Sequence, residues 1–272
     1  MIIDAHVHLG RNEHIKARVD ELLASMDKAK IDKALVFAGE LNDYPTYDML
    51  EEIKPHRDRL YGVASWNFDF AKYSATHNKY GAWAIGRRQA PLMRALFEVG
   101  SIVAVKFYTG YYHYMPNDPK IGEVLEELNK VGCPAIFHCG DCLNSVKCAK
   151  LKYAHPLNID DVAVDYPNMN FIIAHMGYPF QREAAEVCYK NKNVYSDISG
   201  FVYGAFDHNE KGKFQKVLSE FIDIAGPDKL LFGTDFPISD QSSYVDILDT
   251  EHGNWLTAQA LTKNVMKAFN LK

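Results

Sequence analysis

Short hydrophobic runs alternate with longer amphipathic stretches along almost the whole chain. The short runs are rich in β-branched and aromatic residues, which is typical of buried strands. They predict eight strands, at residues 1–9, Lys33–Ala38, Leu60–Trp66, Ile102–Phe107, Pro134–His138, Phe171–His175, Val194–Asp197 and Lys229–Gly233. Between them, hydrophobic residues recur three and four positions apart, which is the spacing of one helix face. This spacing predicts helices at Glu13–Lys30, Thr46–His56, Pro91–Val99, Pro119–Val131, Ile159–Tyr166, Gln181–Lys190, Phe214–Ala225 and Asn254–Phe269.

The alternation of strands and helices predicts the fold class. Repeated strand–helix–strand units indicate a parallel sheet with right-handed crossovers. Eight such units in 272 residues fit a closed (β/α)8 TIM barrel, for which about 250 residues is typical. We therefore predict an α/β fold with one TIM-barrel domain over residues 1–272. An open doubly wound sheet is the alternative, but it normally carries a glycine-rich turn after its first strand, where this chain has two histidines.

Composition narrows the classes of function. The chain is 47% hydrophobic and 24% charged, with a formal net charge of -5, which gives no sign of a basic nucleic-acid surface. No hydrophobic run approaches the roughly 20 residues of a membrane helix, and the N-terminus has no signal-peptide pattern. The five cysteines follow no disulfide framework, which favours reduced thiols in the cytoplasm. We expect a small-molecule substrate, and neither nucleic acid nor a membrane as partner.

The first predicted strand contains two histidines separated by one residue, in Asp4-Ala5-His6-Val7-His8. Successive side chains of a strand point to opposite faces. His6 and His8 are therefore expected to point the same way, with Asp4 on their face as a structural or supporting residue. Two imidazoles so placed are suited to hold a transition metal. By themselves they are equally compatible with two unrelated histidines.

Other polar residues stand at the carboxyl ends of later predicted strands. They are Lys106 on strand four, His138 on strand five, His175 on strand six and Asp235 after strand eight. Singly, such a histidine is more often a hydrogen-bonded core residue, the lysine a solvated charge and the aspartate a turn cap. In a parallel barrel, however, these ends meet on one face, where catalytic loops cluster. Three histidines and an aspartate on that face suit Zn²⁺ or another divalent ion.

Four motifs contain the histidines and the aspartate. They are Asp4-x-His6-x-His8, Phe137-His138-Cys139-Gly140, Ala174-His175-Met176-Gly177 and Gly233-Thr234-Asp235-Phe236-Pro237. With the phrase from Lys190 to Gly200 around strand seven, they resemble the amidohydrolase superfamily. More narrowly, they are similar to the amidohydrolase-2 branch of metal-dependent TIM-barrel hydrolases and decarboxylases. The motifs run from residue 4 to residue 237, so the resemblance spans nearly the whole chain.

That resemblance implies a metal site with two catalytic residues beside it. It implies His6, His8, His138 and Asp235 as metal ligands, and Asp235 and His175 as catalytic residues. His175 would stand beside the metal-bound water or complete a second metal site with Lys106, which matches a lysine that some branches carboxylate to bridge two metals. We expect one Zn²⁺ and an unmodified Lys106. Another divalent metal, or a second ion, is the alternative.

Hydrolysis is the first expectation for such a site. A divalent metal lowers the pKa of its bound water to about 7, and Asp235 would take the proton and return it to the leaving group. His175 would orient the water or donate to the developing oxyanion. The substrate would then be an amide, ester or lactone of a small molecule. The alternatives are a non-oxidative decarboxylase of a small carboxylic acid and a non-catalytic metal-binding barrel.

Substrate contacts and a dimer interface are also expected. The residues expected to contact the substrate are Lys106, Tyr108, Tyr111 and Arg182, with Arg87 and Arg88 as further candidate cations. The long irregular segment Asn67–Gly86 has the character of an insertion that covers an active site or an interface. Its aromatic part, Tyr73–Trp83, would suit the contact of a homodimer.

Overall fold

Eight parallel strands form one sheet in sequence order, as the alternation predicts. The computed structural model describes residues 1–11, 15–39, 45–66, 90–251 and 256–271. The strands are β1 (Ile3–His8), β2 (Lys33–Phe37), β3 (Leu60–Trp66), β4 (Ala104–Phe107), β5 (Ala135–Phe137), β6 (Phe171–Ile173), β7 (Val194–Asp197) and β8 (Leu230–Leu231). Each lies within a predicted strand, so the hydrophobic runs identify all eight.

The sheet closes into a barrel between β1 and β8. The backbone hydrogen bonds that join the two ends run from Ala5 N to Phe232 O (2.8 Å), from Asp235 N to His6 O (2.8 Å) and from His8 N to Phe236 O (2.7 Å). The last two bonds come from the loop after β8, which continues along β1 beyond the end of the strand proper. The fold is therefore a (β/α)8 TIM barrel, as predicted.

Strand β1 contains a bulge that separates Asp4 from the two histidines. The pairing of β1 with β2 shifts between Asp4 and Val7. Ala5 packs in the interior of the barrel, whereas Val7 packs in the layer between strands and helices. His6 and His8 share a face as expected, but Asp4 does not lie on it, because a bulge interrupts the two-residue alternation. The predicted position of Asp4 is corrected accordingly.

The helices lie between the strands, mostly where hydrophobic spacing predicts them. They are α1 (Val19–Ala29), α2 (Thr46–Ile53), α3 (90–98), α4 (Pro119–Asn129), α5 (Asn158–Asp165), α6 (Gln181–Lys190), α7 (His208–Ala225), α8 (Gln241–Glu251) and α9 (Ala258–Ala268). Helix α8 has no counterpart among the predicted helices. Helix α7 begins at His208, earlier than predicted, because Asp207 and Glu210 cap its first turn.

The start of α1 also differs from the prediction. A helix from Glu13 is excluded, because Lys16–Ala17 pairs with Gly10–Arg11 as a short antiparallel ladder. The helix begins only at Val19. The ladder follows β1 directly and lies next to the end of the barrel that carries the histidines.

The interior of the barrel is filled with hydrophobic side chains contributed by all eight strands. Helix α9 covers the amino end, where Val265, Ala268 and Phe269 join this interior cluster. The polar residues at the carboxyl ends therefore rest on a hydrophobic floor, and the barrel is a packed core rather than a pore. None of the helices in the described ranges is long and hydrophobic enough to span a membrane. The predicted insertion Asn67–Gly86, with Arg87 and Arg88, lies outside the described residues.

Candidate active site

The carboxyl ends of β1 and β8 bring three buried side chains to one point. His6 and His8 come from β1, and Asp235 comes from the loop after β8. His6 Nε2 lies 3.2 Å from His8 Nε2. Asp235 Oδ1 lies 3.2 Å from His8 Nε2 and 3.7 Å from His6 Nε2. We call these three residues the ligand cluster; the sequence analysis expects all three as metal ligands.

The chemistry of the ligand cluster fits a divalent cation. Within the part of the chain that is described, one ligand atom from each of its three residues lies within 4.8 Å of the other two. The Oδ1 atom of Asp235 is buried, and it accepts no hydrogen bond from any residue that the structure describes. A buried carboxylate oxygen needs a partner. Two imidazole nitrogens and a carboxylate oxygen are common ligands of Zn²⁺ and similar ions. A cation between them would satisfy that oxygen.

His6 is held by a carboxylate that the sequence analysis does not assign to the site. Asp197, the last residue of β7, lies with Oδ2 2.9 Å from His6 Nδ1. Burial, and then the nearby Lys106, lower the pKa of His6 well below its ordinary value. The ring is therefore neutral at pH 7, as a metal ligand must be. The only sequence signal for Asp197 is its place in the phrase from Lys190 to Gly200.

His175 stands on a turn directly after β6 that has left-handed backbone conformation. The φ angles of His175 and Met176 are 62° and 50°, values that residues other than glycine rarely adopt. The ring centroid of His175 lies 4.8 Å from that of His6. Burial, and then the neighbouring His6 and His138, lower the pKa of His175 well below its ordinary value. A neutral imidazole thus stands beside the ligand cluster.

His138 lies at the edge of this group, with one ring nitrogen turned to a loop. Its Nε2 lies 2.8 Å from the carbonyl oxygen of Asp141, and its ring centroid lies 5.0 Å from that of His175. Burial, and then Lys106, lower the pKa of His138 to about 3. Because Nε2 is bonded to a carbonyl, this atom does not join the ligand cluster. A ligand role for His138 stays a prediction, which requires Nδ1 or a turn of the ring.

Lys106 is fully buried beside the ligand cluster. Its Nζ lies 3.5 Å from His6 Nε2, and 5.0 and 5.5 Å from the ring centroids of Phe37 and Tyr108. Burial lowers the pKa of Lys106 to about 8. A buried ammonium group requires a compensating partner, so a bound anionic group at this point would be stabilised by Lys106.

The two predicted substrate-binding tyrosines present their rings to the site. The Tyr108 hydroxyl donates a hydrogen bond to the Ala38 carbonyl at 2.8 Å, and the Tyr108 ring centroid lies 6.5 Å from that of His8. The ring centroid of Tyr111 lies 4.7 Å from that of His138. The two rings therefore stand beside two of the histidines, and a substrate would meet them as apolar surfaces.

Arg182 is not brought to the site. It lies on α6, on the outside of the barrel, and its guanidinium donates to Glu220 of α7 at 3.0 Å. Its side chain is 69% exposed. Its guanidinium is thus paired with Glu220 rather than with a residue of the ligand cluster, and a role of Arg182 in substrate binding stays a prediction.

Comparison with known sequences finds one family and one partial relative. The family described as Amidohydrolase matches residues 3–268, which is nearly the whole chain. Protein fluG of Emericella nidulans is 28% identical over 102 residues. That alignment covers 38% of this chain and only 11% of the length of fluG.

Comparison with solved structures finds similar barrels. An amidohydrolase from Burkholderia multivorans with bound zinc is 13% identical, with a TM-score of 0.67 and 100% of both chains covered. A dihydroxybenzoic acid decarboxylase from Polaromonas sp. JS666, with bound manganese and the inhibitor 2-nitroresorcinol, is 14% identical, with a TM-score of 0.66. In that comparison 99% of this chain and 97% of the decarboxylase are covered. At these identities the likeness establishes the shared fold.

Proposed function

Because the chain belongs to the amidohydrolase family, we propose that it is a metal-dependent hydrolase that cleaves an amide, ester or lactone of a small molecule. The observation that carries this proposal is the convergence of His6 Nε2, His8 Nε2 and Asp235 Oδ1. We propose these three residues as metal ligands, Zn²⁺ as the ion and His138 as a fourth ligand after its ring turns. A different divalent ion would fit the same donors.

The side chains around the proposed ion then have separate tasks. When bound, the ion supplies Lewis acidity and lowers the pKa of a water molecule to about 7. The Asp235 carboxylate takes a proton from the attacking water and passes it to the leaving group. His175, on the turn after β6, orients the water or the substrate. The rings of Tyr108 and Tyr111 form apolar surfaces that contact the substrate beside the reacting atoms.

We favour one ion over two. Asp197 is bonded to His6 Nδ1 at 2.9 Å, so His6 offers a single nitrogen to a metal. Lys106 then acts as an unmodified cation that binds a negatively charged part of the substrate. A second ion held by His175 and a carboxylated Lys106 is the alternative, in which two metals would stand about 3.5–4 Å apart.

A decarboxylase is the second candidate, and Lys106 is the observation that favours it. Its ammonium group is buried 3.5 Å from His6 Nε2, where it would hold the carboxylate of an acidic substrate beside the ion. Several solved structures with a similar fold are named decarboxylases. In this alternative the proton goes to the substrate carbon that loses CO₂, and Asp235 or His175 delivers it.

The test combines metal loading with product analysis. The purified chain is loaded with Zn²⁺ or Mn²⁺ and offered esters, lactones, amides and aromatic carboxylic acids, while acid release and CO₂ are measured separately. A hydrolase releases acid from an ester, lactone or amide, and a decarboxylase releases CO₂ from a carboxylic acid. Activity must disappear when a chelator removes the metal and return when metal is restored. Turnover that survives removal of the metal would contradict both candidates.

We further propose that the enzyme acts in the cytoplasm on a small molecule, without nucleic acid or membrane as partner. The five cysteines are free thiols, which supports a reducing compartment. A homodimer with a contact through Tyr73–Trp83 is part of the proposal, and that segment lies outside the described residues. Sedimentation of the purified chain gives its mass in solution and tests this part separately.

A further inference from the structure

Asp197 and Ser199, at the end of β7, link the two central histidines. Both residues are 1% exposed. Their hydrogen bonds reach His6 on β1 and His175 after β6, so they connect three neighbouring parts of the barrel rim. None of the catalytic or metal-binding roles proposed above uses them.

The bonds of Asp197 fix the position of the proton on His6. Asp197 Oδ1 accepts hydrogen bonds from the backbone N–H of His175 at 2.9 Å and of Ser199 at 3.1 Å, and from the Ser199 hydroxyl. Asp197 Oδ2 lies 2.9 Å from His6 Nδ1. Ser199 Oγ also lies 3.1 Å from His6 Nδ1, but its hydrogen is given to Asp197 Oδ1. The carboxylate and the hydroxyl oxygen can then only accept at this point, so the hydrogen belongs to His6 Nδ1.

The other ring nitrogen of His6 agrees with this assignment. Lys106 Nζ lies 3.5 Å from His6 Nε2, and an ammonium group only donates. Without a proton, Nε2 of His6 can accept from Lys106 and from His8 Nε2, which lies 3.2 Å away. Both ring nitrogens of His6 therefore have partners in the Nδ1-protonated tautomer.

The bonds of Ser199 fix the position of the proton on His175 in the same way. His175 Nδ1 lies 2.9 Å from Ser199 Oγ and 3.3 Å from the Ser199 carbonyl oxygen. A carbonyl oxygen only accepts, and the single hydroxyl hydrogen of Ser199 is already given to Asp197. The hydrogen must therefore come from His175 Nδ1.

We propose that Asp197 and Ser199 are positioning residues that hold His6 and His175 in the Nδ1-protonated tautomer. Nε2 of each ring then carries a lone pair. For His6 this lone pair points at the ligand cluster, where it can bind a metal. For His175 it makes Nε2 a proton acceptor in the resting state, so under this proposal the neutral ring accepts a proton there and does not donate one to an oxyanion. These consequences rest on the proposed function, whereas the tautomers themselves do not.

The first experiment reads the tautomers directly. Long-range ¹H–¹⁵N NMR spectra of the full chain labelled with ¹⁵N-histidine distinguish Nδ1–H from Nε2–H rings. The spectra are recorded with and without Zn²⁺, and His6→Gln and His175→Gln identify the two rings. We expect the Nδ1–H pattern for both rings in the metal-free and the zinc-loaded chain. An Nε2–H pattern for either ring in the metal-free chain would overturn the proposal.

The second experiment uses Asp197→Asn, which keeps the shape of the side chain but adds a donor. Three donors converge on Oδ1 of Asp197, so the amide oxygen of the variant must stay at that position to accept from them. The new amide nitrogen then replaces Oδ2 and faces His6 Nδ1. His6 must then move its proton to Nε2 and lose the lone pair. We expect Zn²⁺ affinity, measured by chelator competition, to fall about 10–100-fold. Unchanged affinity with an unchanged tautomer of His6 would overturn the proposal.

Ser196→Ala is the matched control, and Ser199→Ala is the second variant. Ser196 is a buried hydroxyl on the same strand that donates only to the Ile173 carbonyl, at 2.7 Å, so its loss should leave both tautomers and the metal affinity unchanged. Ser199→Ala should broaden or shift the His175 signals, because one of the two acceptors of Nδ1 is lost. If the tautomers are as expected but no metal binds, the proposed function fails and the positioning role stands.

Discussion

His8 is the member of the ligand cluster whose removal tests the metal site most simply. Its Nε2 lies 3.2 Å from both His6 Nε2 and Asp235 Oδ1. We expect His8→Ala to weaken Zn²⁺ binding by more than about 100-fold, because the loss of a ligand exceeds the 10–100-fold effect of outer partners. Chelator competition measures the change. His113→Ala is the control, since the partly buried His113 contacts the Cys148 carbonyl oxygen at 2.7 Å and stacks on the Tyr153 ring. Equal affinity in the two variants would remove His8 from the site.

Asp235 is proposed to bind the ion and to move a proton, and these two tasks can be separated. In Asp235→Asn an amide oxygen can still coordinate, but it takes up no proton at neutral pH. We expect kcat to fall about 10²–10⁴-fold, the usual contribution of a general base, with a much smaller loss of metal affinity. Asp240→Asn, at the start of α8, is the control for the loss of one carboxylate. If kcat and metal affinity fell by the same factor, Asp235 would be a ligand without a role as base.

At the scale of residues, the candidate site residues can be predicted from the sequence better than the residues that hold them in place. His6, His8, His175 and Asp235 are predictable because strand ends converge in any parallel barrel, whatever the details of packing. Asp197 and Ser199 depend on which side chains meet across neighbouring strands, and no pattern along the chain encodes that. Asp4 lies away from its predicted face because of the bulge in β1. The hydrophobic pattern of the sequence does not reveal this bulge. No pattern along the chain shows that the guanidinium of Arg182 pairs with Glu220.

The turn after β5 is an element whose shape depends on a glycine. Gly140 has a φ of +87°, and a Cβ there would lie 2.1 Å from the Tyr178 carbonyl oxygen. We expect Gly140→Ala to lower the free energy of unfolding by about 2–5 kcal/mol, from backbone strain together with overpacking. Urea denaturation measures this change. The turn also carries His138, so metal affinity should fall as well.

Gly132→Ala is the matched control for that substitution. Gly132 has a φ of +66°, but a Cβ there would meet nothing within 4 Å. Only the left-handed backbone conformation is then unfavourable, by about 1–2 kcal/mol. If the two variants were equally destabilised, the close approach of the Tyr178 carbonyl would not matter to the turn.

At the scale of elements, strands were easier to predict than helix ends. The buried strands of a parallel sheet are continuous hydrophobic runs, and all eight were found. The early start of α7 depends on the capping pair Asp207 and Glu210, which a search for hydrophobic spacing overlooks. Helix α8 had a readable signal, because its buried Tyr244, Ile247 and Leu248 follow helical spacing within an otherwise polar stretch.

At the scale of the whole molecule, the buried histidines make folding stability depend on pH. The pKa of His138 is lowered to about 3 from an ordinary 6.5 by burial, and those of His6 and His175 are also lowered. Below pH 6.5 the unfolded chain protonates these histidines, whereas the folded chain protonates His138 only near pH 3 and resists protonation of His6 and His175 in the same direction. The metal-free protein should therefore lose about 1.4 kcal/mol for each such proton and pH unit as the pH falls through that window.

Denaturation in urea at several pH values measures how the free energy of unfolding changes with pH. His138→Gln should reduce that change by the contribution of about one proton. Asp4 acts in the opposite direction, because burial raises its pKa to about 6 from 3.8. The folded chain thus binds a proton on Asp4 before the unfolded chain does, and this favours folding between those two values. One carboxyl opposes three imidazoles, so the net effect remains destabilising. Constant stability from pH 6.5 to pH 4.5 would contradict the expectation.

The closure of the barrel by β1 and β8 has a consequence for the order in which the protein is made. Asp4 and Thr234, which meet at that closure, are 230 residues apart. In a chain growing on the ribosome, both histidines of β1 are made long before Asp235, whose carboxylate completes their cluster. Tight capture of an ion therefore has to wait for the finished barrel, and the ion then stabilises only that state. Ribosome-bound chains that stop before Asp235 should therefore retain no zinc under conditions in which the released full chain retains it.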